Sequence, residues 1–351
     1  MGAVAADPST MNQVMNPKGA VAAHASAAPA VSAARQRLPS LSCVIPCYNE
    51  ADNLVQLLPE LNRTLGQCSR AWEVILVDDG STDTSHWLLE AWARRPGFRV
   101  LQLSRKFGKE AALSAGLAAA AGEVVVTMDA DLQHPPALIP SFVEHWQSGR
   151  DMVYAVCEDR QDEAAWKRLG ARWFYKLVNA ADHVKVPPGA GDFRLMDRAA
   201  VDALLSLNER NRFMKGLFAW VGFDAVAVPY APPARAHGRS HFSLLRLIHL
   251  SLDGLTAFTT WPLRAVSVVG IALALLAFAY GSYLSVSYLL NGHAVSGWTT
   301  IVVCLLFLVG VQLISLGIVG EYSGRIFEEV KARPLFVVKR ELGQGLQARR
   351  P

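Results

Sequence analysis

Residues 123–133 read "EVVVTMDADLQ", a short β-branched apolar run that ends in two aspartates one residue apart. Runs of this length and composition are typical of buried parallel strands. Three similar runs precede it, "LSCVIPC" at 41–47, "WEVILV" at 72–77 and "RVLQL" at 99–103, and helix-like segments rich in Leu and Ala separate them at 52–67, 83–94 and 108–121. This alternation predicts a wound α/β sheet.

Polar and acidic side chains follow these strands in turn. They are Tyr48, Asn49 and Glu50, then Asp78 and Asp79, then Ser104 and Arg105, and finally Asp129 and Asp131. Ligands of such sheets bind beyond the carboxyl ends of the strands, so the sequence predicts a site at this edge. A single carboxylate is explained by helix capping, the role we expect for Asp83. Five or more converging acids favour a ligand.

The sequence contains neither G-x-G-x-x-G nor G-x-x-x-x-G-K-[ST], the two glycine-rich loops that hold phosphates. A cluster of acids would repel a diphosphate unless a divalent cation lay between them. A few hard oxygen ligands on a turn suit Mg²⁺ or Mn²⁺ that completes its shell with waters and substrate phosphates. We therefore expect the two aspartates after the fourth strand to carry a metal–diphosphate.

The overall composition excludes some classes of function. The formal net charge is only +4, and no stripe of Lys and Arg interleaved with aromatics is present, which argues against nucleic-acid binding. The five cysteines are scattered without a C-x-x-C pair, as expected of reduced thiols. Residues 1–39 are rich in Ala, Pro, Ser and Gly and lack the pattern of a secretory signal, so we expect a disordered tail.

Two apolar runs lie near the C-terminus. Residues 265–290 and 298–320 contain no charged side chain, and each is long enough as a helix to cross a membrane. They predict a transmembrane hairpin at 262–322. The connecting loop has no Lys or Arg, whereas Arg264 precedes the hairpin and a basic tail, 323–351, follows it. Both ends, and with them the large domain at 40–242, are therefore expected to be cytoplasmic.

Two further stretches mix apolar, aromatic and basic residues at helical spacing, at 164–180 and just before the hairpin at 243–261. This pattern suits helices that lie in the membrane interface, although ordinary surface helices are the alternative. Gly and Ser in the predicted spans leave a homo-oligomer open. Two spans are too few for a lipid flipping path, which points to a separate flippase as a partner.

The motifs "VIPCYNE", "VDDGSTD" and "DADLQHPP", in this order, resemble those of the family-2, inverting glycosyltransferases of the GT-A fold. The downstream segments "GDFRLMDR", "FMKGLFAWVGF" and "RAHGRSHF", with the two predicted spans, resemble the polyprenyl-phosphate glycosyltransferases. These include bacterial undecaprenyl-phosphate glucosyltransferases and dolichol-phosphate mannose synthase. The resemblance covers about residues 41–340. It implies an enzyme of the bacterial inner membrane that moves a hexose from a UDP-sugar to undecaprenyl phosphate.

The resemblance also implies roles for individual residues. The nucleotide-sugar pocket would comprise Pro46, Tyr48, Glu50, Asp78, Asp79, Asp129, Ala130, Arg235 and His241. The metal, Mg²⁺ or Mn²⁺, would be held by Asp129, Asp131 and Gln133. His241 departs from the pattern, since relatives usually carry Lys there, and a neutral His supplies no fixed charge.

Four residues are implied in catalysis, namely Asp131, Asp192, Arg160 and Arg172. The two arginines would hold the lipid phosphate, with solvated interfacial charges as the alternative; Asp192 would be an active-site acid, with a turn residue as the alternative. A lipid monophosphate is largely dianionic at neutral pH, so it needs cationic positioning and no general base. Its oxygen would displace the nucleotide in line and invert C1.

The sequence leaves other sugars and other classes of function open. Glucose is the first choice of sugar, with galactose, N-acetylhexosamine, mannose or a 4-amino-arabinose derivative behind it. A processive polysaccharide synthase would carry a Gln-x-x-Arg-Trp motif and more spans, and neither is present. A non-catalytic membrane scaffold that binds nucleotide is the alternative from another class, although it has no need for a complete leaving-group site.

Overall fold

The computed structural model describes residues 33–157, 190–210, 212–231, 261–291 and 297–346. Its strands are β1 Ser40–Cys47, β2 Ala71–Asp78, β3 Phe98–Leu103, β4 Val124–Thr127, β5 Met152–Cys157, β6 Ala190–Asp197, β7 Ala225–Tyr230 and β8 Val338–Gly343. Its helices are α1 Ala51–Cys68, α2 Ser85–Ala93, α3 Lys109–Ala119, α4 Ile139–Gln147, α5 Arg198–Ser206, α6 Met214–Trp220, α7 Trp261–Asn291 and α8 Trp298–Val330. Single turns of 3-10 helix cover Ala33–Gln36 and Pro136–Leu138.

The strands form one mixed sheet in the order β7-β5-β6-β4-β1-β2-β3-β8. Strands β1 to β4 run parallel, whereas β6 is antiparallel to both β4 and β5, and β8 is antiparallel to β3. The four strands and three helices predicted between residues 41 and 128 are confirmed, with bounds that differ by a few residues at most. The predicted wound α/β class is thus confirmed.

Hydrophobic layers cover both faces of the sheet, which explains why β1 reads as a continuous apolar run. Cys43 and Ile45 face the layer that contains α1 and α4, while Val44 faces the layer that contains α3 and α5. A Cβ on Gly116 of α3 would overlap the side chain of Val44. Glycine at this position therefore lets α3 pack directly on β1.

Strand β1 is the point at which the winding reverses, because β2 pairs on one side of it and β4 on the other. The ladder with β4 ends at the pair Val44 and Thr127. Pro46 lies two residues after Val44, so its backbone faces β4 as that of Val44 does, but beyond the last paired residue of β4. The N–H that proline lacks would therefore have had no ladder partner. A gap therefore opens at the carboxyl end of β1 and β4, where sheets of this class bind ligands.

The chain is already packed before β1 begins. Arg35 forms ion pairs with Asp151 at 2.9 Å and Asp197 at 3.1 Å, and its guanidinium lies over the ring of Trp146. The disordered tail was predicted at 1–39, but residues 33–39 belong to the folded domain. The predicted range therefore extends too far toward the C-terminus. Residues 1–32 lie outside the described residues.

The two predicted spans fall inside the two long helices, 265–290 in α7 and 298–320 in α8. By length and composition, Phe307–Val330 in α8 is able to cross a membrane, and Val268–Leu284 in α7 is a shorter apolar stretch. The predicted interfacial segments at 164–180 and 243–261 lie outside the part of the chain that the structure describes. Those segments and the hairpin stay predictions.

The C-terminal region differs from the basic tail expected at 323–351. Helix α8 continues to Val330, and β8 then adds an antiparallel edge strand to β3. The pattern missed this strand because half of the residues in "VKRELG" are charged and because, among the described strands, it pairs only with β3. Charged side chains are what an exposed edge requires to prevent pairing with other chains.

Buried Glu73 ties the segment after β8 to the amino edge of the sheet. One carboxylate oxygen accepts hydrogen bonds from the Ser42 hydroxyl at 2.6 Å and the Ala121 N–H at 2.9 Å. The other accepts from the Leu346 N–H at 3.0 Å. A residue near the C-terminus is thus bonded to the beginning of β2, at the edge opposite the ligand-binding gap.

We expect Glu73→Ala to lower the free energy of unfolding by about 2 kcal/mol or more, because it leaves the Ser42 hydroxyl and the N–H groups of Ala121 and Leu346 without their shared acceptor. The measurement is thermal unfolding of the detergent-purified protein. Glu90→Ala is the matched control, since Glu90 pairs with Arg340 of β8 at the surface, 2.7 Å apart, and such pairs are worth about 1 kcal/mol at most. Equal losses in the two variants would contradict the assignment.

Candidate active site

The loops after β1 and β2 are bonded into one unit. Asn49 adopts a left-handed conformation, with φ of 57°, and its N–H donates to the Ser81 hydroxyl at 3.0 Å. Its side-chain oxygen accepts from the Thr82 N–H at 2.8 Å. The Glu50 N–H donates to the Ser85 hydroxyl, also at 3.0 Å. These bonds fix the two loops that border the gap.

Two aspartates shape the turn between β2 and α2. Asp78 accepts a hydrogen bond from the Ser81 N–H at 2.9 Å. Asp83 accepts from both the N–H and the hydroxyl of Ser85, at 3.0 and 2.9 Å. The N-cap residue of α2 is Thr84, which makes no side-chain capping hydrogen bond. Asp83, one residue earlier, bonds instead to the first helical residue, so the expectation that Asp83 caps α2 is not met in that form.

Asp79 supports the loop between β3 and α3 from below. It is buried, and its two oxygens accept hydrogen bonds from the N–H groups of Phe107 at 2.7 Å and Gly108 at 2.9 Å. The next residue, Gly80, has φ of +72°, and a Cβ there would lie 2.9 Å from the backbone of Arg105 and Lys106. The structure thus places this carboxylate beneath the loop, and not on the open edge of the predicted nucleotide pocket.

The loop that Asp79 holds brings three cations to the site, Arg105, Lys106 and Lys109. The ammonium of Lys106 lies 3.4 Å from the centre of the Tyr48 ring. The guanidinium of Arg105 lies 4.0 Å from the centre of the Phe107 ring. This loop is the basic counterpart of the acidic loops after β1, β2 and β4.

The turn after β4 presents Asp129 and Asp131, the two aspartates of the Asp-x-Asp motif. Ala130 between them is buried, which leaves Asp129 and Asp131 on the more open side. Leu132 has φ of 63°, and the Gln133 N–H donates to Asp131 at 3.1 Å, which closes the turn. The three predicted metal-site residues therefore share one short, bonded turn.

His134 fixes the other end of this turn. Its Nδ1 accepts a hydrogen bond from the Asp129 N–H at 2.9 Å, and its ring stacks on Phe193 at 5.0 Å. Burial lowers the pKa of His134, although the nearby charge of Asp129 opposes the effect. A neutral ring agrees with an accepting Nδ1. No role was predicted for His134 from the sequence.

Asp192 lies beside this turn because β6 pairs with β4. The Thr127 hydroxyl donates to the Asp192 carbonyl at 2.6 Å and joins the two strands. In the Asp192 carboxylate, Oδ2 accepts from Lys109, whereas Oδ1 is buried without a hydrogen-bond partner among the described residues. The candidate acid is therefore assembled with the Asp-x-Asp turn, and one of its oxygens is available to a ligand.

Lys109, the first residue of α3, forms ion pairs with Asp129 of the turn after β4 and with Asp192 of β6. Its Nζ lies 2.7 Å from Asp129 and 2.6 Å from Asp192. Burial alone would lower the pKa of Lys109, but the charges and hydrogen bonds of the two aspartates raise it. Burial would raise the pKa of Asp192, but the charges of Lys109 and Lys215 lower it. Lys109 and Asp192 are therefore both charged at neutral pH.

Glu50, the N-cap residue of α1 after β1, faces the same space. Burial raises the pKa of its carboxyl group; a 2.6 Å hydrogen bond from Asn53 opposes this, while the charges of Asp131 and Asp129 add to it. The acids after β1 and β4 thus act on one another across the gap. The convergence predicted from the strand order is found in the structure.

A cavity of about 270 Å³ adjoins Lys109 on the side of α3. Its lining residues are Phe107, Gly108, Lys109, Glu110, Ala111, Arg210, Arg212 and Leu335. Burial raises the pKa of Glu110 to about 7, and the charge of Asp192 adds to the shift. Leu335 belongs to the segment between α8 and β8, so the chain returning from α8 reaches the surroundings of the site.

The predicted site residues separate into three groups. The structure brings together Glu50, Asp129, Asp131, Gln133 and Asp192, and it places Tyr48 against Lys106 of the basic loop. It buries Pro46, Asp78, Asp79 and Ala130 among the supports of the loops. Arg160, Arg172, Arg235 and His241 lie outside the described residues. Lys109 was missed; the signal was a run of basic residues after the third strand among otherwise acidic strand ends.

The donor set fits a divalent cation that arrives with phosphate ligands. Within the described ranges no group of three or more His, Cys, Asp or Glu side chains is arranged to hold a metal ion. Asp129 and Asp131 supply two carboxylates on one turn, which is the number that Mg²⁺ usually takes from protein when substrate phosphates complete its shell. The residues therefore fit a metal shared with the substrate.

Part of the chain matches a known protein family. The model of the family described as "Glycosyl transferase family 2" matches residues 42–205, which contain the strand ends described above. The matched residues form a glycosyltransferase domain.

Relatives extend the match along the chain. An uncharacterized glycosyltransferase of Synechocystis sp. is 45% identical over 299 residues, 85% of this chain and 94% of the relative. The SfII prophage-derived bactoprenol glucosyl transferase of Shigella flexneri is 40% identical over 305 residues, 86% of this chain and 97% of the relative. The protein belongs to glycosyl transferase family 2.

Among solved structures, glucosyl-3-phosphoglycerate synthase from Mycobacterium tuberculosis, crystallised with Mn²⁺, UDP and glucosyl-3-phosphoglycerate, is 20% identical with a TM-score of 0.43. The similarity covers 64% of this chain and 80% of that chain.

The raised pKa of Glu110 predicts a pH-dependent stability. The ordinary pKa of this carboxyl group is 4.5, and its pKa in the folded protein is about 7. Ionisation of Glu110 therefore disfavours the folded state, and the stability falls as the pH rises from about 4.5 to about 7. Glu110→Gln removes this contribution. We expect the variant to gain melting temperature relative to the wild type at about pH 8 compared with about pH 5.

The same measurement on Glu144→Gln is the control, because Glu144 is an exposed carboxylate of α4. The Glu144→Gln variant should follow the wild type at both pH values. An equal difference between wild type and Glu110→Gln at the two pH values would contradict a raised pKa at Glu110.

Proposed function

We propose that this protein transfers a hexose, with glucose the first choice, from a UDP-sugar to the phosphate of a polyprenyl carrier such as undecaprenyl phosphate. The observation that carries the proposal is the bonded Asp-x-Asp turn at the gap between β1 and β4, whose charges act on Glu50 across the gap. The names of relatives that act as bactoprenol glucosyl transferases support the choice of glucose and of a lipid acceptor.

Asp129 and Asp131 would hold Mg²⁺ or Mn²⁺ together with the donor diphosphate, with Gln133 beside them. When bound, the metal would neutralise the charge that develops on the departing nucleoside diphosphate. The chain's part is to position: Tyr48, Glu50 and Asp78 would border the nucleoside, with Arg235 and His241 proposed at the diphosphate. Asp192 would accept a hydrogen bond from a bound substrate through its unpartnered oxygen.

The acceptor phosphate would be its own nucleophile. Because a lipid monophosphate is largely dianionic at neutral pH, the site needs no general base. It needs cations that hold the phosphate in line with C1 of the sugar, and we propose Arg160 and Arg172 for this task. Attack from the face opposite the nucleotide would invert C1.

The path of the chain supports a membrane hairpin. The chain leaves the catalytic sheet before α7 and returns to it as β8, so the two ends of the α7–α8 unit lie on the same side of any membrane it crosses. An even number of crossings is then required. If Phe307–Val330 crosses once, α7 is the helix that supplies the second crossing.

The exposed side chains of both helices suit this arrangement. Leu275, Phe278 and Leu289 in α7 and Phe307 and Leu313 in α8 are more than half exposed, and contiguous apolar surface of this kind marks contact with lipid or protein. We propose the bacterial inner membrane, with the catalytic domain on the cytoplasmic side. Self-association and a separate flippase belong to the same proposal.

The reaction is tested by transfer of radiolabel from a panel of UDP- and GDP-sugars to undecaprenyl phosphate, using detergent-purified protein with Mn²⁺, Mg²⁺ or EDTA. We expect UDP-glucose to label the lipid in a metal-dependent way. Labelling of the lipid by another nucleotide-sugar would change the assigned donor and leave the proposed reaction in place. Binding of nucleotide without labelling of the lipid by any donor would favour the scaffold alternative.

Asp131→Ala should lower the transfer rate by at least about 10²-fold, the scale of losing one strong electrostatic stabiliser. Asp224→Ala is the matched control, because this exposed aspartate pairs with Arg150 at the opposite, amino-terminal edge of the sheet. The control should retain its rate. Near-normal transfer by Asp131→Ala in metal-supplemented buffer would exclude its role at the metal.

A further inference from the structure

The carboxylate of Asp129, which the proposed function assigns to the metal, is already paired with a protein cation. Lys109 Nζ lies 2.7 Å from one oxygen of Asp129 and 2.8 Å from the other. The same Nζ lies 2.6 Å from Asp192. Among the described residues, these two aspartates have no other ion pair.

Asp131, the second carboxylate of the turn, makes no ion pair with the residues that the structure describes; its Oδ1 accepts only the Gln133 N–H. The free site therefore contains one carboxylate neutralised by Lys109 and one open to a cation. A divalent cation that approached this site alone would meet an ammonium group beside Asp129. Like charges at such distances repel strongly where water is partly excluded.

We propose that Lys109 is a resident counter-ion that occupies Asp129 in the free enzyme and yields it to the divalent cation only when the cation enters with the donor diphosphate. This inference rests on the proposed metal-dependent function. The diphosphate supplies the negative charge that offsets the added cation, and Lys109 keeps its second partner, Asp192. Metal and nucleotide then bind as one unit.

The position of Lys109 suits such a device. It begins α3 directly after Gly108, whose N–H is held by Asp79, so the backbone from which the side chain starts is fixed. The side chain itself is 42% exposed, which gives the ammonium room to turn away from Asp129. Asp129 is also fixed, through its N–H bond to His134. Exchange thus requires movement of one flexible side chain.

The inference predicts that removal of the ammonium tightens metal binding in the absence of nucleotide. We expect Lys109→Met to bind Mn²⁺ at least about tenfold more tightly than the wild type without UDP, and to gain much less from added UDP. The measurement is the electron paramagnetic resonance signal of free Mn²⁺ during titration of the full-length, detergent-purified protein, with and without UDP. Transfer activity is unsuitable as the readout, because the variant also changes Asp192.

Two variants serve as controls. Lys339→Met removes the same charge from an exposed position in β8 and should leave Mn²⁺ binding unchanged. Lys109→Arg keeps the charge and should keep Mn²⁺ binding weak without UDP. If Lys109→Met yields no folded protein by circular dichroism, Lys109→Gln provides the same comparison.

Unchanged or weaker Mn²⁺ binding by the neutral variants would overturn the inference, because Lys109 would then orient the carboxylates or be irrelevant to them. Failure of the wild type to bind Mn²⁺ even with UDP would refute the metal-dependent function itself. In that second case the Lys109 variants would also show no binding. The two failures are therefore distinguishable.

Discussion

Mutual repulsion among carboxylates at one edge of the sheet is the constraint on which the arrangement of this site depends. Because β1, β2 and β4 are parallel, their carboxyl ends meet at the same edge, and each ends in acidic residues. The consequences are visible in raised pKa values, since burial and the charges of Asp129 and Asp131 act together on Glu50. Such an edge is stable only if cations are brought to it.

The loop after β3 brings them, and its position is determined by the acids themselves. The Asp79 carboxylate accepts hydrogen bonds from the N–H groups of Phe107 and Gly108. The loop that it holds in this way places Lys106 against Tyr48. It also places Lys109 against Asp129 and Asp192. One acid thus positions the cations that neutralise the others. A site of this kind is suited to ligands that carry negative charge with their own counter-ion, such as a metal-bound diphosphate.

The same sheet joins the site to the long C-terminal helices. Strand β8 pairs with β3, the strand that precedes the basic loop, and Leu346 bonds to Glu73 at the far edge. Leu335, between α8 and β8, lines the cavity beside Lys109. The part of the chain that follows α8 is therefore built into the catalytic domain. For an enzyme proposed to act on a lipid phosphate, this connection joins the end of α8 to the domain that contains the site.

The sequence by itself determined the central strands, the edge at which the site lies and the identity of its acids. Strand and helix periodicity are local properties, and in a parallel sheet the strand order places all the carboxyl ends together. It did not determine that 338–343 form an eighth strand, because pairing with β3 joins residues more than 200 positions apart and leaves no local pattern. Nor did it show that Asp79 lies below the loop while Asp129 faces Lys109. The sequence does not distinguish one aspartate from another. Only the packing of the chain decides which backbone N–H or ammonium group each aspartate contacts.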